Sequence, residues 1–324
     1  MKIFRSVILA AAIAVVGGAA MAADWKPTGP VTLIVHAGAG GGNDVFGRAM
    51  LTMMEKEKLL PVRFTVVNKV GGGSAVAMNY MNERKGDDLT IGLYTSTFYL
   101  NPLVAEDATV TMDTLTPIAN LIFEPALVVV RADSPFKTLK DFIDAAKASP
   151  NKYKQSGGSV LAREAIVRQL IMAKTGAQWS YISFPSAGER MSALLGGHTD
   201  LMMIEPSEES GLIKSGKMRA IAQIATKRLE GYPDIPTLKE AGVDIVEVPQ
   251  ARGVIAPPGI SKDAAAYYQD LFARFTKTDS WKAYLKDTQL EAAFMPADEL
   301  KTFTKTYSDQ VRTILKDLGV KVVR

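Results

Sequence analysis

The chain has 324 residues, and its 38 Lys and Arg stand against 34 Asp and Glu, a scattered near-balance that argues against nucleic acid or an anionic membrane surface as partner. It holds no cysteine, which excludes disulfides, thiolate zinc sites and a lipid-anchored cysteine. Its two histidines, His36 and His198, have no carboxylate or second histidine at ligand spacing, so no metal and no cofactor is expected and each reads as a polar loop residue.

Lys2 and Arg5 precede the apolar run Val7 to Val16 and the small residues Gly17 to Ala23. That order is the grammar of a secretory signal peptide over residues 1–23, cut after Ala22 or Ala23, and the apolar run is too short to cross a bilayer comfortably. Without Lys2 and Arg5 the balance is 36 against 34, a net charge of +2. About 300 mature residues exceed one typical core, so two lobes are expected.

Val31 to Val35 reads as a buried strand that runs into a glycine loop, Ala37 to Asp44, after which Val45, Ala49, Met50, Met53 and Met54 recur at helical spacing. The pattern returns: Phe64 to Val67 leads to Gly71-Gly72-Gly73-Ser74 and a helical Ala75 to Met81. A third strand, Leu89 to Tyr94, ends in the hydroxyl cluster Thr95-Ser96-Thr97. Strands alternating with helices argue for a mostly parallel sheet with helices on both faces. A second unit opens near Leu127 to Val130, with a helix started at Thr138 and closed before Ser149-Pro150. Next comes another glycine loop, Ser156-Gly157-Gly158-Ser159, with an amphipathic stretch behind it through Leu161, Ala165, Ile166, Leu170 and Ala173. Trp179 to Ile182 is a strand, Glu189 to Leu195 a helix and Thr199 to Ile204 a strand. A strand near Arg252 to Ala256 follows the turn Tyr232 to Pro236, and the tail from Ser261 onward reads as helical. The expected division is 24–125 with 248–324 in the first lobe and 126–247 in the second, joined by crossing strands, with the strand near Ile224 or the one near Val254 as the return.

A glycine loop between strand and helix exposes unpaired N–H groups at the positive end of a helix dipole, and so can hold an anion without a basic side chain. Three such loops, at 38–44, 71–74 and 156–159, fall in equivalent places of the two lobes, and carboxylates bound between the lobes would be clamped by amides from both sides. A nucleotide fold is disfavoured, because Asn43 stands where the dinucleotide fingerprint needs glycine and no Gly-Lys-Ser/Thr follows. Ser74, Ser156 and Ser159 lack the elbow that presents a nucleophile. Arg48, Arg163 and Arg190 fall in first turns after the loops, where they could fork onto a carboxylate, although a solvated face or a salt bridge is the favoured reading for Arg48 and Arg163. Glu124, Glu189 and Glu205 near the loop ends would repel a simple polycarboxylate unless paired or protonated, and leave open a ligand with a positive group. The methionines, and Phe98, Tyr99, Phe123 and Phe184, read as core.

Taken together, several segments resemble the periplasmic substrate-binding proteins of tripartite tricarboxylate transporters, the Bug-type family. They are Val31 to Val35 running into Gly40 to Asp44, Asn68 to Ser74, Asn101-Pro102-Leu103, Leu115 to Ala119, Ala132 to Leu139, Leu194 to His198, Ser215 to Ala220, Asp234 to Leu238 and Arg252 to Gly259. The likeness covers essentially the whole mature chain. It implies an α/β, two-lobed periplasmic binding protein, a Venus flytrap of type II-like form, without catalysis. It implies closure over a small organic acid, usually a di- or tricarboxylate, with relatives taking aromatic acids or amino acids, and recognition of the closed form by membrane subunits; a monomer is expected. Carried over residue by residue, the family's ligand site falls on Ala39, Gly40, Gly41, Gly42, Asn43 and Asp44, on Gly72, Gly73 and Ser74, and on Thr95 and Ser96. In the second lobe it falls on Ser156, Gly157, Gly158 and Ser159, and on Ser186, Ala187, Gly188 and Glu189. Two departures lie beside it: Ala165 where many relatives have histidine, and Pro185-Ser186-Ala187 where they are often glycine-rich. The alternatives are an exported α/β enzyme using Asp44 or Glu189 as general base, and a subunit that presents its ligand to a sensor kinase.

Overall fold

The β-branched, apolar run Val31–Val35 forms β1, the strand around which the first sheet is built. It lies parallel to both β2 (Phe64–Asn68) and β3 (Thr90–Thr95), with Val31 opposite Phe64 and Ile34 opposite Gly92. Helices α1 (Gly42–Lys56) and α2 (Ala75–Asn82) make the crossovers, and the short α3 (Thr97–Leu100) follows β3. The computed structural model describes residues 25–158, 162–184, 187–245, 250–317 and 319–324, without the side chains of Ser207, Glu209 and Ser210. The signal peptide over 1–23, the candidates Ser159 and Ser186, and the lobe boundary at 247–248 lie outside the described residues.

After β4 (Thr116–Glu124) the chain crosses at Pro125 into β5 (Ala126–Arg131). The second unit continues through α4 (Leu139–Ala148), β6 (Lys154–Gly157), α5 (Arg163–Thr175), β7 (Ser180–Ser183), α6 (Ala187–Leu195), β8 (Leu201–Ile204), α7 (Pro206–Lys214) and β9 (Met218–Ile224). The chain then returns in β10 (Gln250–Ala256), followed by α8 (Lys262–Phe275), α9 (Asp279–Thr288), β11 (Glu291–Pro296) and α10 (Ala297–Asp317). The first sheet has the order β11-β4-β10-β3-β1-β2 and the second β7-β6-β8-β5-β9.

Two expectations need correction. The sheets are mixed rather than mostly parallel: β10 is antiparallel to β3 and β4, β11 is antiparallel to β4, and β5 is antiparallel to β8 and β9. The reason is topological, since β10 re-enters the first sheet from the crossing and so runs against β3. The tail, expected to be helical throughout, contains β11, whose residues alternate between half-buried and exposed because this edge strand is held by β4 alone.

The same registers bring the strand ends together. Arg252 sits opposite Thr95, and Gln250 opposite Glu124. Across the crossing, Ala126 lies opposite Ile224 and Leu127 opposite Ile204. The carboxyl ends of β3 and β4 therefore point towards the crossing from one side and those of β8 and β9 from the other, which is where open α/β sheets hold ligands. Packing fixes that frame. Phe46, Met50 and Met54 of α1 bury against Tyr268, Phe272, Phe275 and Trp281 on one face of the first sheet, and α2, α3 and α10 cover the other face. In the second unit Phe142, Val167, Ile171 and Trp179 fill one side and Leu127, Val129, Leu194, Met202 and Ile204 the other.

Candidate ligand-binding cleft

The first loop is shaped by a carboxylate. Asp44 is almost fully buried. Its side chain accepts the Gly40 N–H at 2.9 Å, the Asn68 side-chain amide at 2.8 Å and the Arg48 Nε–H at 3.0 Å. These donors, Arg48 foremost and against the opposing effect of burial, hold its carboxyl down at about 2. Gly40 turns with φ of 78°, and the Gly41 N–H closes back onto the Gly38 carbonyl at 3.0 Å. Helix α1 then starts with no side-chain cap. The Asp44 and Val45 N–H groups donate to the Gly41 carbonyl, leaving those of Gly42 and Asn43 as the first-turn donors at the positive end of the dipole.

The second loop is a run of left-handed backbone, with φ of 132°, 56°, 57° and 88° at Gly71, Gly72, Gly73 and Ser74. At Gly73 a β-carbon would stand 2.1 Å from the Asn101 amide nitrogen, so a side chain there would displace that amide as well as strain the backbone. Ser74 is the strained member, a non-glycine residue held there by its side chain. Its hydroxyl lies 3.2 Å from His36 Nδ1 and 2.5 Å from the Thr97 hydroxyl; the Thr95 hydroxyl lies 2.9 Å from Thr97 and 3.1 Å from His36 Nε2. The four groups close a ring beneath the loops. Burial, and secondly the Arg252 guanidinium, lower the imidazole to about 4, so His36 is neutral at physiological pH. Ser96 stands apart from the ring, its hydroxyl accepting the Tyr99 O–H at 2.9 Å and the Ala251 N–H at 3.1 Å.

In the second lobe β6 ends in Gly157, where a β-carbon would meet the Tyr181 hydroxyl at 2.0 Å. The Gly158 N–H donates to Glu164 Oε1 at 2.7 Å. Arg190 Nη1 donates to the same oxygen at 3.2 Å, and the Ser156 hydroxyl donates to the Arg190 carbonyl at 3.3 Å.

A hydrogen-bonded chain joins the two halves. Arg252 Nη1 donates to Asn43 Oδ1 at 3.3 Å, and its Nε donates to Glu124 Oε2 at 3.0 Å. The Glu124 carbonyl in turn accepts from Arg163 Nη1, and Arg163 Nη2 donates to Glu205 Oε1 at 2.8 Å. Arg190 reaches Glu208 at 3.8 Å. Burial raises the Glu124 carboxyl, opposed by Arg252 and Arg163 and reinforced by Glu205. Burial, then Glu205, pushes Glu208 up to about 7, against the pull of Arg190.

The expected residues divide into two kinds. Ala39, Gly40, Gly42, Gly72, Gly73, Gly188 and Glu189 are exposed, and Gly41, Gly158 and Ala187 are half-buried. Asn43, Asp44, Ser74, Thr95, Ser96, Ser156 and Gly157 are buried, and the side chains among them brace the loops. Arg48, Arg163 and Arg190 are all in salt bridges. Sequence reasoning passed over His36 as a polar loop residue and gave no role to Arg252, Glu164 or Glu208. The position of His36 immediately after β1 was the one available signal, and nothing local marks the other three. Among the described residues no group of three or more His, Asp or Glu is placed to hold a metal.

With this geometry in hand, comparison with known proteins is specific. The family described as "Tripartite tricarboxylate transporter family receptor" matches residues 49–320. A UPF0065 protein of Cupriavidus necator is 29% identical over 317 residues, covering 96% of this chain and 95% of that protein. A TctC solute-binding protein from Polaromonas superposes with a TM-score of 0.75 at 26% identity, covering 90% of this chain and 100% of that one. The R. palustris protein Rpa4515, solved with adipate, superposes with a TM-score of 0.82 at 22% identity over 92% of this chain and 99% of its own.

Proposed function

Since the chain belongs to the tripartite tricarboxylate transporter receptor family, we propose that it binds a small carboxylate in the cleft between its lobes, in the periplasm, and delivers it to the membrane subunits of such a transporter. The observation that carries this reading is the hydrogen-bonded chain from Asn43 through Arg252, Glu124 and Arg163 to Glu205, which ties the helix start behind the first glycine loop to the starts of α5 and α7 in the second unit. The exposed amides of Gly42, Gly72 and Gly73 supply donors for a carboxylate without a metal. The adipate held by the R. palustris neighbour is an organic acid of the expected class. No helix among the described residues is long and apolar enough to cross a membrane, and the leader over residues 1–23 is cleaved on export. The lobes divide at 125/126 and at 247/248, and the receptor acts as a monomer that closes by hinge motion.

The test is a melting-temperature screen of the refolded, ligand-stripped mature protein against di- and tricarboxylates, aromatic acids and amino acids. A bound acid present at ~100 times its Kd stabilises the native state by about 2.7 kcal/mol. A folded protein with a flat response to every acid would overturn the proposal.

A further inference from the structure

The arginines around the cleft and some of its loop amides already hold carboxylates of this chain. Asp44 takes the Gly40 N–H and Glu164 takes the Gly158 N–H, so one amide in each lobe's loop is occupied. Arg48 is paired with Asp44, Arg252 with Glu124, Arg163 with Glu205 and Arg190 with Glu164. On the crossing side of the cleft, among the described residues, the ion pairs set three guanidiniums, Arg163, Arg190 and Arg252, against four carboxylates, Glu124, Glu164, Glu205 and Glu208. Glu208 is the one left over. The guanidinium within its reach is Arg190 at 3.8 Å, which lies closer to Glu164 at 3.2 Å. Its side chain stands in the first turn of α7 and is 32% exposed, against 12% for Glu164 and 7% for Glu124.

A second carboxylate arriving at this wall would add negative charge where the network is already one cation short, and desolvation would make that costly. An ammonium would supply the missing charge and three donors. Deepening the carboxylate reading, on which it rests, we infer that the acid bound here carries a protonated amine, received by Glu208 with Glu205 beside it, while its carboxylate meets the amides of Gly42, Gly72 and Gly73. The selectivity of the cleft is then for a zwitterion over a dianion of equal length.

Titration calorimetry on the ligand-stripped mature protein tests this with matched probes: straight-chain dicarboxylates of four to six carbons, their 2-amino and ω-amino counterparts, and the plain monocarboxylates. An amino-bearing acid should bind about tenfold or more tighter than the dicarboxylate and the monocarboxylate of its length. Glu208→Gln, with folding verified by its melting temperature, should abolish that margin. Tighter binding of the dicarboxylate overturns the inference and leaves the carboxylate receptor standing, whereas no binding of any acid overturns both. An amine preference that survives Glu208→Gln overturns the assignment to Glu208.

Discussion

The glycine loops of the two lobes are each tied by a carboxylate, but they are tied differently. In the first lobe Asp44 is buried and braced by a backbone amide, an asparagine and an arginine that itself lies half in solvent. In the second lobe Glu164 holds one backbone amide and shares Arg190 with Glu208. The first loop is set by a local i to i+4 pair and one neighbouring strand, and the second depends on partners from α6 and α7 that converge only when the lobe has closed its sheet. The first lobe thus holds a finished turn, while the second holds a wall whose carboxylates share a cation.

The hardest break falls where the two halves join. Arg252→Met leaves Glu124 buried without its cation and should cost about 3–5 kcal/mol in urea unfolding; a loss below ~1 kcal/mol would show that the chain of bonds across the base is not what holds the lobes in register. Next comes the contrast between the loops themselves. Asp44→Ala strands a loop amide and the Asn68 side chain and should cost about 2–3 kcal/mol, against about 1–2 kcal/mol for Glu164→Ala, and the reverse order would refute the distinction between a finished turn and an adaptable wall.

The wall's response is sharpened by pH. Facing Glu208 are Glu205 on its own helix end, Arg190 of α6, Glu124 of β4 and Arg252 of β10, with Glu164 of α5 sharing Arg190. With its carboxyl at about 7, affinity for an amino-bearing acid should rise roughly tenfold between pH 6 and pH 8 as Glu208 ionises, and calorimetry at both values reads it directly. A flat profile would mean that Glu208 does not meet the amine.

The smallest effect is absent at neutral pH. The folded-state pKa of His36 lies below its ordinary value of 6.5, at about 4, so the unfolded chain takes up a proton that the native ring refuses. Its contribution is whole above pH 6.5 and is lost progressively as pH falls towards 4. Asp44 acts in a lower window: its depressed carboxyl stabilises the fold above the ordinary value of 3.8, and that share is lost as pH falls through about 2. The stability difference between the parent and His36→Gln, read by urea unfolding, should therefore change between pH 6.5 and pH 4 and stay constant below that window. A difference that is constant throughout would place the titration elsewhere.

Much of this molecule can be read along the chain where the physics is local. Val31 to Val35 is apolar and β-branched, the glycines that follow can only be a turn, and Thr138 caps the helix it precedes by accepting the Asp141 N–H at 3.1 Å. The missed strands are those whose pattern depends on a neighbour. In β4 the buried Asn120 interrupts the apolar run and is tolerated because it accepts the Tyr94 O–H at 2.5 Å and donates to the Ala293 carbonyl at 2.6 Å. In β11 the sequence Glu291 to Pro296 carries no run long enough to announce a strand, and pairing with β4 makes it one.

The same divide separates the backbone of the cleft from its chemistry. Sequence alone determined the two glycine loops of the first lobe and the helices behind them, because a left-handed turn and a helix start are decided by residues a few positions apart; the third expected loop instead has Ser156 and Gly157 in strand β6. It also carried the family likeness, which rests on the order of such short segments. Tertiary structure alone decided what the side chains do. Arg252 meets Glu124 across 128 residues and Asn43 across 209, and Arg190 comes between Glu164 and Glu208 only once α5, α6 and α7 stand together. A charge has no fixed meaning along the chain, because its energy is set by distance and by the water left around it, and folding settles both.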